Sequence, residues 1–424
     1  MFYCPVIEPR GELRLVAARR NMKLNQIITH LTDNDLYKYS MGQAIFHQFN
    51  SDETTWSFKC RNKDVYFTPE MTEEITEQIK AYCTLTYTEE ELAYLSSIKW
   101  LHKDYIDFLR FWHPRYEDFT ITRNAECGLA IETNGTWLST SMYEIPVLAI
   151  VNEVYFTMKY DIDKLEQAEA LNTRNKIASI KLDKLSNPFN LDCAFSEFGT
   201  RRRLSKKSQE AMIKAFAEAG IKGFVGTSNV YFAMKYNVKP VGTMAHEYIM
   251  TVGQGHHEYN PAYSNKFALD SWVKEYGILN GIALTDTITT DCFLKDFRLT
   301  FATLFSGVRH DSGDPIEWGE KMIAHYKSLG IDPTTKTLLF SDSLDFPKAY
   351  AIYDHFKGRA KIAFGIGTWL SNDCGETPLN IVMKVTAANG QPVAKISDTA
   401  GKGMCKDEAY VDYLQRTIDW RMTH

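Results

Sequence analysis

The stretch that decides the fold is "GFVGTSNVYFAMKYNVKPVGTMAHE", residues 223–247. It contains the same order twice: a short apolar run, a polar peptide with glycine, and then a segment of helical character. The first copy is GFVGTS followed by NVYFAMKY, and the second is KPVGTMAHE followed by YIMTV. Because a strand–loop–helix unit leads to a neighbouring parallel strand, this order predicts a parallel sheet covered by helices.

The same order recurs on both sides of this stretch, between about residues 190 and 370. The further units are CAFSEFGT (193–200), GIALTDT (281–287), SGVRHDSGDP (306–315), TLLFSDSLD (337–345) and KIAFGIGTW (361–369). Seven successive units predict an α/β barrel or an open doubly wound sheet. In a barrel, the loops that follow the strands gather at one edge and carry the active site. We therefore expect the functional site among these loops.

The flanking segments predict a second structural unit. Residues 119–140 contain short β-prone runs separated by turns and predict a hairpin or meander. Residues 146–160 are apolar almost all round and predict a buried helix that begins at Pro146. After Pro378 the runs LNIVMKV and QPVAKI are strand-like again.

The predicted domain organisation follows from these segments. Residues 22–145 form an N-terminal α+β domain, 146–378 form the barrel, and 379–424 return to pack on the N-terminal domain. Residues 1–21 are expected to be a dispensable tail or an extension from an upstream start codon.

Composition excludes several classes of function. The formal net charge of the 424 residues is −5, so we expect neither a nucleic acid nor a membrane surface as partner. The eight cysteines lie far apart without a C-x-x-C pair, which predicts a reducing cytoplasmic location. No apolar run approaches the length of a membrane span. An anionic substrate would therefore need positive charge concentrated locally.

The predicted loops supply that charge. Arg201, Arg202, Arg203 and Arg309 can bind phosphate or carboxylate through two parallel hydrogen bonds. The peptides GTS (226–228) and GIGT (365–368) offer backbone N–H groups to phosphate oxygens. Carboxylates for ribose hydroxyls or a hydrated Mg²⁺ come from Asp286, Asp311, Asp314 and Asp342. The combination is typical of a site for a sugar with several phosphates.

Two of these features also have simpler interpretations. RRRLSKK (201–207) could be a solvated charge run or a nucleic-acid patch, although no interleaved aromatic residues support the latter. Asp314 is expected to cap the helix that begins at Pro315 whatever else it does.

His246 is the most reactive candidate at this edge. An isolated histidine is more often a structural core residue, but here it follows a predicted strand among cationic loops. The neighbouring Glu247 could orient the imidazole and make it more basic. His246 could then act as a general base, a ligand contact or a phosphoryl acceptor.

The motifs together resemble the nicotinate phosphoribosyltransferase family in its bacterial and fungal form. They run in the family's order from about Lys23 to the C-terminus: TDNDLYKYSMGQAIF, EFGTRRR, GTSNVYFAMKY, PVGTMAHE, SGVRHDSGDP, FSDSLD and FGIGTW. The resemblance implies an incomplete α/β barrel beside an N-terminal α+β domain, in a head-to-tail homodimer with shared active sites. It also implies that nicotinate and phosphoribosyl pyrophosphate give nicotinate mononucleotide and pyrophosphate in NAD salvage, assisted by Mg²⁺ and by ATP hydrolysis through a phosphohistidine.

The resemblance also implies residue roles. His246 matches the phosphorylated histidine, and Glu247 and Asp311 are expected to complete the catalytic group. Tyr37 matches a residue that reaches the pyridine ring from the neighbouring subunit, and Phe198 matches the opposite stacking partner. The remaining substrate contacts are expected at Arg201, Ser228, Thr243, Arg309, Ser312, Gly367 and Thr368. Mg²⁺ is expected with the substrate phosphates near Asp311 and Asp342, without a permanent protein ligand.

Three alternatives remain open from the sequence. The base could be nicotinamide or quinolinate instead of nicotinate. The barrel could belong to an aldolase or isomerase of sugar phosphates; the lack of an obvious Schiff-base lysine in the predicted loops argues against an aldolase, although Lys384 and Lys395 lie in late strands. Finally, the chain could be a non-catalytic nucleotide sensor, which the carboxylates and His246 of the predicted loops argue against.

Overall fold

The computed structural model describes residues 24–183, 185–398, 405 and 407–424, so the predicted tail at 1–21 lies outside the described residues. The chain begins with helices around one strand and a hairpin, and two long helices follow. In chain order these elements are α1 (Leu36–Gln48), β1 (Glu53–Cys60), α2 (Pro69–Tyr82), α3 (Glu89–Ser96), α4 (Lys103–Leu109), β2 (Phe119–Thr122), β3 (Ala130–Thr136), α5 (Trp137–Lys159) and α6 (Ile162–Leu182). The hairpin predicted within 119–140 is confirmed by the antiparallel pairing of β2 with β3.

A parallel sheet follows, and its strands alternate with helices. In chain order the elements are β4 (Ala194–Glu197), α7 (Lys206–Glu218), β5 (Phe224–Thr227), α8 (Val230–Tyr236), β6 (Lys239–Pro240), α9 (His246–Gln254), α10 (Ser264–Tyr276), β7 (Ile282–Leu284), α11 (Thr290–Asp296), α12 (Leu299–Leu304), β8 (Gly307–His310), α13 (Pro315–Ser328), β9 (Thr337–Phe340), α14 (Phe346–Phe356), β10 (Lys361–Ile366) and α15 (Thr368–Ser371). The seven strands have the order β6-β5-β4-β10-β9-β8-β7, with every neighbouring pair parallel. The sheet curls into a half-barrel, which confirms the predicted incomplete α/β barrel.

The chain then returns to the first part of the molecule through β11 (Ile381–Ala388) and β12 (Gln391–Pro392). β11 pairs antiparallel with β1 and completes a five-stranded sheet of order β12-β11-β1-β3-β2. The last helix, α16 (Glu408–Thr423), packs on the side of the barrel and not on the N-terminal domain, where residues 379–424 were predicted to pack. Its Leu414 and Ile418 form a small separate core with residues such as Ile288 and Cys292.

The buried helix predicted to start at Pro146 begins nine residues earlier, at Trp137, and Pro146 lies inside it. A proline has no N–H, so it leaves the carbonyl four residues before it without its helical partner. Here that carbonyl belongs to Met142, and the Asn34 side-chain amide donates to it at 3.0 Å. The helix continues through the proline because a residue from another segment replaces the missing hydrogen bond.

Asn34 belongs to the TDNDLYK segment (32–38), which joins the N-terminal part to the barrel. Asp33 forms a bidentate pair with Arg203, at 2.7 and 3.0 Å. Asp35 accepts from the Ser228 hydroxyl at 2.8 Å in the loop after β5. The buried polar side chains of this segment therefore hold the two parts of the molecule together.

Candidate active site

A cavity of about 930 Å³ opens at the carboxyl ends of the parallel strands, as the barrel prediction requires. Its wall also includes residues of α5, β11 and the loop between β10 and β11. The lining contains most of the predicted site residues: Tyr37, Phe198, Arg201, Ser228, Thr243, His246, Glu247, Arg309, Asp311, Asp342, Gly367 and Thr368. Ser312 and Asp286 do not line it, and the Ser312 hydroxyl donates to the Asp286 carboxylate.

His246 is the first residue of α9 and lies between acidic and basic partners. Its Nδ1 contacts the Thr287 hydroxyl at 3.0 Å, and its Nε2 lies 3.1 Å from Asp311 Oδ2 and 2.9 Å from Lys395 Nζ. Burial and the Lys395 ammonium together lower the pKa of His246, against the effect of the nearby carboxylates. The imidazole is therefore largely neutral at pH 7, the state in which one ring nitrogen has a lone pair for nucleophilic attack.

Asp311 directly follows β8. It lies between His246 and Arg309, which belongs to that strand. Arg309 donates to Asp311 Oδ1 at 3.1 Å and to the Ser341 hydroxyl at 2.8 Å. Burial alone would raise the pKa of Asp311, but Arg309 and His246 hold it well below its usual value. Asp311 is consequently a fixed negative charge facing His246.

Asp286 and Lys395 complete this group, and no local sequence pattern pointed to Lys395 as a partner of His246. Lys395 follows β12 and is almost fully buried, and its Nζ lies 2.7 Å from Asp286 Oδ2. The other oxygen, Asp286 Oδ1, is buried without a hydrogen-bond partner among the described residues, and it lies 3.7 Å from His246 Nε2. His246, Asp286 and Asp311 present ligand atoms that all lie within 4.8 Å of one another. Carboxylate oxygens of this kind suit Mg²⁺ held together with substrate phosphates.

Glu247 does not orient His246, which corrects the sequence-based prediction. Its carboxylate points away from the imidazole, hydrogen-bonds with Lys38 Nζ and the Ser141 hydroxyl, and lies 3.4 Å from Trp137 Nε1. Consecutive residues of a helix point about 100° apart, so adjacency in sequence did not imply contact. The carboxylates that face His246 are those of Asp311 and Asp286.

Positive charge is concentrated at another part of the cavity wall. Arg61, Arg201, Arg202 and Lys384 line it together. Burial and the neighbouring cations lower the pKa of Lys384 to about 7, and burial with Arg201 and Arg61 lowers that of Arg202 to about 9. A cation whose pKa is lowered by burial and by neighbouring cations is stabilised in its charged form when an anion binds beside it. This region is therefore suited to a phosphate or carboxylate group.

Arg203 is the exception in the predicted arginine run. It is fully buried, pairs with Asp33 and does not line the cavity. RRRLSKK is accordingly neither a solvated run nor a uniform phosphate site. Arg201 and Arg202 reach the cavity, whereas Arg203 stabilises the junction between the two parts of the molecule.

Tyr37 and Phe198 both line the cavity, as do Trp56 and Trp369. A Cβ at Gly365 would lie 2.3 Å from the Phe198 ring, so glycine is needed for the ring to lie against β10. Similarly, a Cβ at Gly242 would lie 2.7 Å from the Tyr37 backbone nitrogen, so glycine permits this close approach. Tyr37 lines the cavity of its own chain, and its expected contribution to the site of a neighbouring subunit stays a prediction.

The fold and this cavity define a class: a half-barrel enzyme with an anion-binding site at the carboxyl ends of its strands. Family comparison makes the assignment specific. The model of the nicotinate phosphoribosyltransferase (NAPRTase) family matches residues 193–421, and that of the NAPRTase N-terminal domain matches residues 32–152. The chain belongs to the nicotinate phosphoribosyltransferase family.

Individual relatives agree with this assignment. The chain is 45% identical over 397 residues to nicotinate phosphoribosyltransferase from Ralstonia pickettii, covering 92% of this chain and 99% of the relative. It is 44% identical over 394 residues to that from Cupriavidus necator, covering 92% and 98%. The crystal structure of nicotinate phosphoribosyltransferase from Vibrio cholerae superposes with a TM-score of 0.86 at 35% identity, over 93% of this chain and 94% of that one. The enzyme from Porphyromonas gingivalis gives 0.85 at 33% identity, over 93% and 100%.

Proposed function

We propose that this protein transfers the phosphoribosyl group of phosphoribosyl pyrophosphate to nicotinate, giving nicotinate mononucleotide and pyrophosphate. The observation that carries the proposal is one cavity lined by aromatic side chains, a cationic wall and a His–Asp group. Aromatic faces suit a flat pyridine ring, and the cationic wall suits its carboxylate and the substrate phosphates.

The reaction forms a bond from the pyridine nitrogen to C1 of ribose and breaks the bond from C1 to the pyrophosphate oxygen, which takes the electron pair. Tyr37 and Phe198 would hold the ring in line with that bond, and Arg201 would take the carboxylate. Arg202 and Lys384 would stabilise the negative charge that develops on the leaving group. Thr243, Gly367 and Thr368 line the same cavity and would contact the sugar and its phosphate.

ATP hydrolysis would assist through phosphorylation of His246. The lone pair of the neutral imidazole would attack the γ-phosphorus, and ADP would leave with the electron pair of the broken P–O bond. Water would later attack the phosphorus of the phosphohistidine, so that inorganic phosphate leaves and the free imidazole is restored. Because the phosphoryl group adds about two negative charges beside Arg309 and Lys395, it would reorganise the cavity wall through those cations.

Mg²⁺ would be held by Asp286 and Asp311 with substrate phosphates, and it would supply charge neutralisation for the pyrophosphate. Asp342, predicted near the ion, lines the cavity outside the His246–Asp286–Asp311 group.

The place of the enzyme in the cell is also part of the proposal. The product would enter NAD salvage, and the resemblance supports a homodimer. A cytoplasmic location stays a prediction. Among the described helices, none combines the length and apolar character required to cross a bilayer.

The choice of base tests the proposal. Purified protein is given phosphoribosyl pyrophosphate and Mg²⁺ with nicotinate, nicotinamide or quinolinate, each with and without ATP, and mononucleotides are separated by mass. We expect nicotinate mononucleotide, formed faster with ATP. Preference for another base would refute nicotinate as the substrate but would leave the phosphoribosyltransferase activity in place. If no mononucleotide forms from any of the three bases, both the substrate and the activity are refuted.

Lys384 makes the binding of phosphoribosyl pyrophosphate dependent on pH. Its pKa of about 7 means that the free enzyme loses this charge as the pH rises through 7. A polyanion binds the charged form better, so we expect the KM for phosphoribosyl pyrophosphate to rise about tenfold between pH 7 and pH 8.5. Lys384→Gln should have a higher KM at pH 7 and a flat profile. A steep profile in the variant would assign the titration to another group.

A further inference from the structure

Lys38 is fully buried, yet it lies next in sequence to Tyr37 of the cavity wall. Its Nζ is 2.7 Å from Glu144 Oε2 and also hydrogen-bonds Glu247 Oε2. It further lies 4.8 Å from the centre of the Trp56 ring. One buried lysine therefore serves two carboxylates.

Glu144 and Glu247 both line the cavity, and Glu144, with a side chain that is 10% exposed, is the carboxylate close to Arg201. The Tyr37 hydroxyl donates to its Oε2 at 3.3 Å, and Arg201 Nη1 lies 3.9 Å from its Oε1. Glu144 is thus placed between Lys38 and the arginine that would receive the carboxylate of the base. An unneutralised Glu144 would compete with that carboxylate for Arg201 and repel it.

Glu247 fixes the lysine from the other side. Its two oxygens are satisfied by Lys38, Ser141 and Trp137, and its side chain is 4% exposed. Ser141 and Glu144 both lie on α5, so Lys38 and Glu247 hold one face of that helix against the start of α9. A lysine anchored in this way cannot turn away from Glu144 without leaving a buried carboxylate alone.

We propose that Lys38 is a specificity-determining positioning residue: it neutralises Glu144, keeps it off Arg201 and so lets the cavity accept an anionic base. The inference rests on the proposed function, because it presumes that Arg201 receives the carboxylate of nicotinate. Glu247 acts through Lys38 by holding it in place. Neither residue needs to touch the reacting atoms.

The test is a double-mutant cycle with Lys38→Met, Glu144→Gln and the double variant, measured as steady-state kinetics with nicotinate and phosphoribosyl pyrophosphate. We expect Lys38→Met to raise the KM for nicotinate about tenfold or more, with kcat and the KM for phosphoribosyl pyrophosphate changed less than about threefold. The double variant should recover most of the affinity for nicotinate, since glutamine has no charge to compete for Arg201. Lys336→Met is the matched control, because Lys336 is buried against the carbonyls of Thr303 and Phe305 away from the cavity.

Three results would overturn the inference: an unchanged KM for nicotinate in Lys38→Met, an equal rise of both KM values, or no recovery in the double variant. If Lys38→Met does not fold, Glu144→Gln decides, since Lys38 keeps Glu247 as partner there. That variant should leave the KM for nicotinate unchanged or lower it, and a rise of about tenfold would contradict the inference. Failure of the unmodified protein to use nicotinate would instead refute the proposed function.

Discussion

His246→Asn is expected to abolish the stimulation by ATP while leaving a folded enzyme. Asparagine retains a hydrogen-bonding group of similar reach beside Thr287 but has no nitrogen lone pair that can accept a phosphoryl group. If ATP raises kcat/KM of the unmodified protein about tenfold or more, as a phosphoenzyme would allow, the variant should show less than about a twofold effect. Initial rates with and without ATP, and acid-labile incorporation of label from γ-labelled ATP, measure the two consequences separately.

The control for this experiment is His325→Asn. His325 is a partly buried histidine on α13 that contacts the Phe297 carbonyl and does not line the cavity. It should retain both the label and the stimulation. Full ATP stimulation in His246→Asn would show that the energy of ATP enters by another route and would remove His246 from the mechanism.

Asp311→Asn is expected to have the second large effect, on the transfer reaction itself. The substitution keeps the shape but removes the charge that faces His246 Nε2 and Arg309. Because the pKa of Asp311 is held well below its usual value by these partners, the carboxylate is ionised throughout the working range of pH. Losing a preorganised charge at such a site costs about 100- to 1,000-fold in kcat/KM.

The matched comparison is Asp345→Asn, at the cavity wall where Asp345 accepts from the Lys348 backbone N–H. Asparagine caps helices as well as aspartate does, so this variant should remain within about threefold of the unmodified kcat/KM. Equal losses in the two variants would indicate a general effect of negative charge at the cavity. A small loss in Asp311→Asn would mean that Asp286 alone supports the reaction.

The parallel sheet and its site-bearing edge could be predicted because each strand–loop–helix unit is local in sequence. The loops around Phe198, His246 and Asp311 all follow strands, and parallel strands bring such loops to one edge whatever their order. The cap at Asp314 could be predicted for the same reason, and its carboxylate accepts from the N–H groups of Ile316 and Glu317. Short-range patterns of this kind need no knowledge of tertiary contacts.

The errors concern contacts made across the chain. Lys395 reaches His246 over 149 positions, and Glu247 finds Lys38 over 209. The helix can begin before Pro146 because Asn34 donates to the Met142 carbonyl, and these two residues are 108 positions apart. No periodicity encodes such contacts, because they depend on how the antiparallel sheet and its helices dock on the half-barrel.

The measurement that tests the central claim most directly is the product balance of the purified protein. Nicotinate, phosphoribosyl pyrophosphate, ATP and Mg²⁺ are supplied, and nicotinate mononucleotide, pyrophosphate and ADP are quantified in the same sample over time. We expect mononucleotide and pyrophosphate in equal amounts, with ADP formed alongside them. Pyrophosphate released without mononucleotide would mean that water, and not the pyridine nitrogen, attacks the ribose in this cavity, and that result would contradict the account.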